Sequence, residues 1–397
     1  MTREEALKKA LAAVDQDYVV AIRREIHEYP EIGFDCPKTI AVVKRELDAM
    51  GYEYTEKFGI SSVVATLNPE KTNFTIGIRA DMDALPLQEK TDLPFKSKND
   101  GKMHACGHDA HTAMLLGTAK ALKSVEEAID CRVKLLFQPY EEGVNGAKYM
   151  VRDGVMDDID IIIGLHVENW LESGCIGVCP GESMAASTPI TIEFFGHTAH
   201  ATLPQTGKDA LAMAVSAYNN IQLMMAREMD PFKHWVMSVG QLSAGTTHNV
   251  IADHAIMKIS LRTYEVELND YIIKRIEQIC AQAAESFGGT YTFDGEMSAF
   301  PIINDPAISA QVLAAAAKIV GEDKIVEMRP KLSSEDFSQY LTKKPGVFFR
   351  LGTRNEEKGC VTLPHNNDFL IDEEPFQVGC KTCVQFVFDN MHGVGCP

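Results

Sequence analysis

Apolar residues follow two different rhythms along this chain, and the change between them divides it. Residues 75–80 (TIGIRA), 133–137 (VKLLF) and 159–163 (IDIII) are near-continuous apolar runs. Such runs suit strands buried on both faces of a mostly parallel sheet. Between the first two, Ala110, Ala113, Met114, Gly117 and Ala121 keep to one face of a helix expected over residues 109–124. After residue 185 the rhythm changes. Residues 189–195 (PITIEFF) alternate, which puts Ile190, Ile192 and Phe194 on one face of a strand. A helix over 208–227, strands at 235–242 and 255–263, a helix over 267–286 and a strand at 290–295 follow. That order is βαββαβ, a ferredoxin-like two-layer unit. The C-terminal part returns to the first rhythm with an apolar strand at 346–351 (GVFFRL). The expected fold is α/β. A discontinuous domain, residues 1–185 and 298–397, holds a mostly parallel central sheet flanked by helices. A second domain, residues 186–297, is inserted into it.

The length of 397 residues suits two domains. A net charge of −18 repels a phosphate backbone, and no Lys/Arg run offsets it, so no nucleic-acid partner is expected. No apolar stretch approaches the roughly 18 residues of a membrane span. The first residues, MTREEALKKALAAV, are charged and helix-like rather than signal-like. Ten cysteines lie scattered without framework spacing and read as free thiols, which places the protein in the cytoplasm. Cys380 and Cys383 form a C-x-x-C with no second pair, so a structural helix is the simpler reading.

The chemistry gathers where the apolar runs end, as it does in α/β sheets. After the first comes Asp81-Met-Asp83, two carboxylates on one side of an extended chain that can orient a ligand or simply form a polar turn. Residues 104–111 (HACGHDAH) pack three histidines and a cysteine into eight positions. On an extended loop Cys106 and His108 converge, and Gly107 lets that loop bend. The run 133–137 leads to Glu141-Glu142. Such a pair is either solvated charge or a division of labour between a metal ligand and a general base. His166, at the end of the run 159–163, and His365, in a loop near the C-terminus, are further histidines that are either structural or ligating. Together Cys106, His108, Glu142, His166 and His365 are too many for one tetrahedral ion that keeps a water. Two divalent ions fit better. Zinc and manganese both suit the set, cobalt is possible, and the soft thiol leans towards zinc.

These residues resemble those of the metal-dependent aminoacylase and carboxypeptidase superfamily. The nearest branch holds hippurate hydrolases, N-acyl-amino-acid amidohydrolases and auxin-conjugate amidohydrolases. The matching runs are HEYPEIGF at 27–34, RADMDALP at 79–86, HACGHDAH at 104–111, EEG at 141–143, GLH at 164–166, GHTAHAT at 196–202, NVIAD at 249–253, SEDF at 334–337 and PHNNDF at 364–369. The resemblance implies metal ligands at Cys106, His108, Glu142, His166 and His365, with Glu141 as general base and acid. It implies that the inserted domain is a lid that forms a homodimer and brings His200 to the partner's site. Asn249 is its neighbour, and Arg262 is a candidate for the substrate carboxylate. Asp81 is expected to assist catalysis. The sequence departs from the family pattern at Ala252, where proline is common, and at Asn366-Asn367.

The expected reaction is hydrolysis of the amide bond of an N-acyl amino acid. A metallo-carboxypeptidase or dipeptidase using the same site is the alternative. A serine hydrolase is disfavoured because no G-x-S-x-G elbow is present, and no P-loop or dinucleotide fingerprint occurs. A metal- or ligand-binding protein on the same scaffold has no need of Glu141.

Overall fold

The computed structural model describes residues 1–143 and 146–394, and within them the chain forms two compact units. The first comprises Met1–Ser183, Ile303–Pro330 and Glu335–Pro397. It is built on an eight-stranded sheet. At its centre lie the parallel strands Arg132–Gln138, Thr75–Asp81, Ile161–Glu172 and Gly346–Arg354, in that spatial order. Every residue of Thr75–Asp81 is buried, as are all but the first of Arg132–Gln138. Two covered faces explain why the sequence shows unbroken apolar runs here and no alternation. The cover includes the helices Gln16–His27, His108–Lys123 and Phe376–Asn390, which pack with the strands into one apolar core. Cys380 and Cys383 are buried in the last helix, and the nine described cysteines are all free. Cys396 lies outside the described residues.

One strand departs from expectation. The run at 159–163 was expected to stop near Gly164-Leu165-His166, but the strand spans Ile161–Glu172. The neighbouring strand Gly346–Arg354 pairs with it past that point, with His166 opposite Arg350. His166 therefore sits inside a strand and not at its end. Paired backbone on its flank holds it more firmly than a loop would.

The second unit comprises Met184–Ile302 and Lys331–Ser334. Its strands Ala186–Phe195, Trp235–Ala244, His254–Thr263 and Thr290–Asp294, with helices Ala210–Arg227 and Val266–Ser286, follow the βαββαβ order. All sheet pairings are antiparallel, and Ala186–Phe195 and His254–Thr263 are the inner strands. Ile190, Ile192 and Phe194 face the helices and form a core with Met213, Ile221, Ile272 and Ile276. The alternation in sequence is the mark of this half-covered sheet. Residues 331–334 join this unit because Ala185 N–H donates to the carbonyls of Lys331 (3.2 Å) and Ser333 (3.0 Å), and Tyr264 Oη–H to Lys331 O (2.8 Å). Sequence rhythm carries no trace of so short a return. No helix among the described residues is long and apolar enough to cross a membrane.

Candidate metal centre

The first unit gathers its chemistry beyond the carboxyl ends of the 75–81 and 132–138 strands and beside His166. The loop before helix His108–Lys123 turns at Gly107, whose φ is 90°. A Cβ there would lie 2.3 Å from Val167 Cγ2, so only glycine fits without displacement. This turn sets Cys106 Sγ 3.4 Å from His166 Nε2. His166 Nδ1–H donates to the Val167 carbonyl (2.5 Å), which leaves the Nε2 lone pair facing the thiol. Tyr140 and His365 hold φ values of 55° and 65°. Left-handed backbone at non-glycine residues is costly and marks positions the surroundings enforce.

Five sets of described side chains bring potential ligand atoms within 4.8 Å of one another and share members: Cys106–His108–His166, Cys106–Glu142–His365, His108–Glu141–Glu142, Asp81–His108–His111 and Glu141–Glu335–Asp336. His108 is buried, and neither ring nitrogen has a hydrogen-bond partner among the described residues. Glu142 Oε1 lies 3.2 Å from His365 Nε2 and 3.9 Å from His108 Nε2. Burial works against a charge on His108, yet Asp81, Asp83 and Glu142 outweigh it and push its pKa up to about 10. Burial and the Glu142 and Glu141 carboxylates drive the Cys106 thiol well above its ordinary value. Burial, with Arg350 adding to it, holds His166 well below the usual histidine range, as a neutral donor. A cation among these groups would convert the thiol to thiolate, replace one His108 proton and partner one of its two ring nitrogens. The donor set of thiol, imidazole and carboxylate fits zinc or a similar divalent ion.

His111 belongs to the same sequence cluster but has no free donor. Its Nδ1–H donates to Asp81 Oδ1 (2.6 Å), and its Nε2 accepts from Val167 N–H (2.9 Å). Both nitrogens are used, so His111 braces the centre and does not ligate. Asp81 is likewise committed. Its second oxygen takes Arg79 Nη1–H (2.7 Å) and lies 3.8 Å from His108 Nε2. Asp83 has the more direct placement. It accepts from the backbone N–H groups of Glu141 (2.9 Å) and Glu142 (3.1 Å) and lies 3.5 Å from His108 Nδ1. One carboxylate thus orients the Glu141–Glu142 pair and faces a third member of the cluster.

Sequence reasoning assigned no role to Glu335, Asp336 or Gln138. Glu335 and Asp336 lie with Glu141 in one acidic cluster, and Asp336 N–H donates to Glu141 Oε1 (3.3 Å). Asp336 also accepts from Gln138 Nε2 (2.7 and 2.9 Å) and from Ala147 N–H (2.9 Å). Burial, reinforced by Glu335 and Glu142, raises the Glu141 pKa well above the carboxylate range. Burial also raises Asp336, to about 7, with Arg79 opposing and Glu335 reinforcing the shift. The one available signal was the run Ser334-Glu335-Asp336-Phe337, whose acidic pair has no local pattern that predicts burial.

His200, Asn249 and Arg262 belong to the second unit. His200 is exposed, and its Nδ1 accepts from Thr202 N–H (3.2 Å), which places the ring proton on Nε2. Asn249 is exposed, and its side-chain oxygen accepts from Thr247 Oγ1–H (3.0 Å). Arg262 is half-buried, donates to Ser334 Oγ (3.0 Å), and has its pKa lowered by burial alone.

Comparison with known proteins places this geometry in context. The family model for peptidase family M20/M25/M40 matches residues 77–389. Thermostable carboxypeptidase 1 of Saccharolobus solfataricus is 36% identical over 383 residues, covering 94% of this chain and 95% of that protein. N-acyl-L-amino acid amidohydrolase of Geobacillus stearothermophilus is 39% identical over 305 residues, covering 77% and 82%. Among solved structures, a dinuclear metal-binding peptidase of Bacillus subtilis superposes with a TM-score of 0.81 at 30% identity, covering 94% and 97%.

Gly107→Ala is expected to weaken zinc binding and to destabilise the metal-free protein by about 1–3 kcal/mol in urea unfolding. Unchanged zinc affinity would show that the loop conformation does not set the centre.

Proposed function

The chain belongs to peptidase family M20/M25/M40, and on that premise we propose that it is a two-metal amidohydrolase of N-acyl-L-amino acids. The products are a carboxylate and a free amino acid. The observation that carries this reading is the division between two adjacent carboxylates. Glu142 faces His108 and His365, whereas Glu141 is turned towards Glu335 and Asp336 while remaining within reach of the same cluster. Cys106, His108, Glu142, His166 and His365 hold the cations. A divalent ion there supplies a Lewis acid and makes water nucleophilic at neutral pH.

Glu141 takes the proton of the attacking water and delivers it to the leaving amine. Its raised pKa suits a group that must give the proton back. Asp83 fixes the peptide on which Glu141 and Glu142 sit, and Asp81 acts one step removed, through His111 and His108. His200 donates Nε2–H to the oxyanion, as its tautomer allows. Asn249 lies beside it on the bridge between His200 and Val250. Arg262 receives the substrate carboxylate. Burial without a carboxylate neighbour lowers its pKa, and an anion would offset that cost.

A homodimer through the second unit is supported by its exposed apolar surface. Leu211, Val215 and Tyr218 share one face of helix Ala210–Arg227 and are each at least 36% exposed, and the edge strand Trp235–Ala244 exposes Val236 and Leu242. Free thiols support a cytoplasmic location. Zinc is the favoured ion because of Cys106, with manganese or cobalt as substitutes. A carboxypeptidase or dipeptidase is the second reading, favoured by the long match to the Saccharolobus solfataricus carboxypeptidase.

Glu141→Gln is expected to lower kcat by about 10²–10⁴ on N-acyl amino acids with metal content unchanged. Full activity would remove Glu141 from the mechanism. A panel of N-acetyl and N-benzoyl amino acids beside dipeptides separates the two readings, since turnover of dipeptides alone selects the second. Mixing Glu141→Gln with His200→Ala protomers is expected to restore part of the activity each lacks. If mixed dimers form and none returns, His200 does not act in the partner's site.

A further inference from the structure

The run His27–Phe34 takes no part in the chemistry above, yet its first residue lies behind the metal loop. His27 ends helix Gln16–His27 and is 1% exposed. Its Nδ1 lies 2.7 Å from Asp109 Oδ2 and its Nε2 3.3 Å from Glu89 Oε1. Carboxylates on both ring nitrogens require a proton on each. Arg23 Nη2, 3.3 Å from Nδ1, is then a neighbouring cation and not a donor to His27. Arg23 Nε instead lies 2.8 Å from the same Asp109 oxygen, and its Nη1 lies 3.1 Å from Glu373 Oε1. Its guanidinium stands over Phe95 at 5.0 Å. Glu89 is itself held by Ser97 N–H (2.7 Å) and by the Thr91 hydroxyl.

Arg23, His27, Glu89 and Asp109 are all nearly inaccessible to solvent. A buried ion cluster of this kind is weak evidence for stability, because apolar side chains of similar volume generally serve as well. What it supplies is a fixed geometry. Asp109 follows His108 directly and stands in the first turn of helix His108–Lys123. Among the described residues its other oxygen, Oδ1, has no hydrogen-bond partner, and neither do the two ring nitrogens of buried His104. The contacts that His27 and Arg23 make with this loop both run to Asp109 Oδ2. That loop pivots at Gly107, the residue with the widest backbone freedom, so an anchor is needed where it enters the helix.

We propose that His27, supported by Arg23, is a positioning residue that holds the Cys106–His108 loop in its metal-binding conformation by gripping Asp109. This rests on the reading of Cys106 and His108 as ligands. His27 touches no reacting atom and acts only through the loop.

The test measures zinc dissociation constants of the full chain by competition with a chromophoric chelator, for wild type, His27→Ala, His27→Gln and Cys106→Ser. Unfolding of each metal-free protein is followed in parallel. His27→Ala is expected to weaken zinc binding by about tenfold or more, the scale seen when an outer partner of a metal site is lost. His27→Gln, which keeps one N–H for Asp109, is expected to recover part of that loss. The cobalt spectrum of His27→Ala is expected to shift in its thiolate band. Should His27→Ala fail to fold, Asp109→Asn keeps the shape and removes the charge, and the same weakening is expected. Wild-type zinc affinity in a folded His27→Ala or Asp109→Asn protein, with Cys106→Ser defective, overturns this inference alone. Wild-type affinity in Cys106→Ser overturns the ligand reading beneath it.

Discussion

The guanidinium of Arg79 is the group on which the site depends. Its side chain is fully buried and makes four charge-assisted contacts, to Asp81 (2.7 Å), Gln138 (2.8 Å), Glu335 (3.0 Å) and Asp336 (2.8 Å). One cation thereby joins two central strands to a loop more than 250 residues further along the chain. On one side, Asp81 passes the restraint to His111 and His108. On the other, Asp336 passes it to Glu141. Removing Arg79 would leave three buried carboxylates without compensation, a defect of about 3–5 kcal/mol. Their mutual repulsion would then move the proposed ligands and the proposed base apart.

Charge explains what this arrangement is built to receive. Asp81, Asp83, Glu141, Glu142, Glu335 and Asp336 meet around Arg79 and a few histidines, with buried Arg350 beside them. The imbalance raises Glu141 and Asp336, and it pushes His108 towards protonation. Those shifts share one direction, since each recruits positive charge. Divalent cations would satisfy that demand, and in the proposed mechanism Glu141, drawn towards Glu335 and Asp336, keeps its proton exchangeable. Outer partners such as Asp83 and His111 then matter as much as the ligands, because they decide which atoms face inward.

Much of this was legible in the sequence, for reasons specific to each element. The unbroken runs at 75–80 and 133–137 announced strands covered on both faces, and the alternation at 189–195 announced a half-covered one. Cys106 and His108 stood out because soft donors cluster directly before a buried helix, and Glu142 because a carboxylate pair lies just beyond a buried strand. Other features depend on pairings that no local pattern records. His111 shares the His-rich run 104–111, but nothing local shows that its two nitrogens are occupied by Asp81 and Val167. His166 lies within a strand because a distant segment pairs alongside it. Asp81 and Asp83 are indistinguishable by spacing, yet the first is bound to Arg79 and the second to the Glu141–Glu142 backbone. Glu335 and Asp336 gain their place only through an arginine far away in sequence.

The central claim is that five side chains converge to hold a pair of divalent ions. Anomalous scattering from crystals grown with zinc tests it most directly. The account predicts two peaks roughly 3.5–4 Å apart, bounded by Cys106, His108, Glu142, His166 and His365, with none beside His111. A single peak, or one seated among Glu141, Glu335 and Asp336, would contradict it.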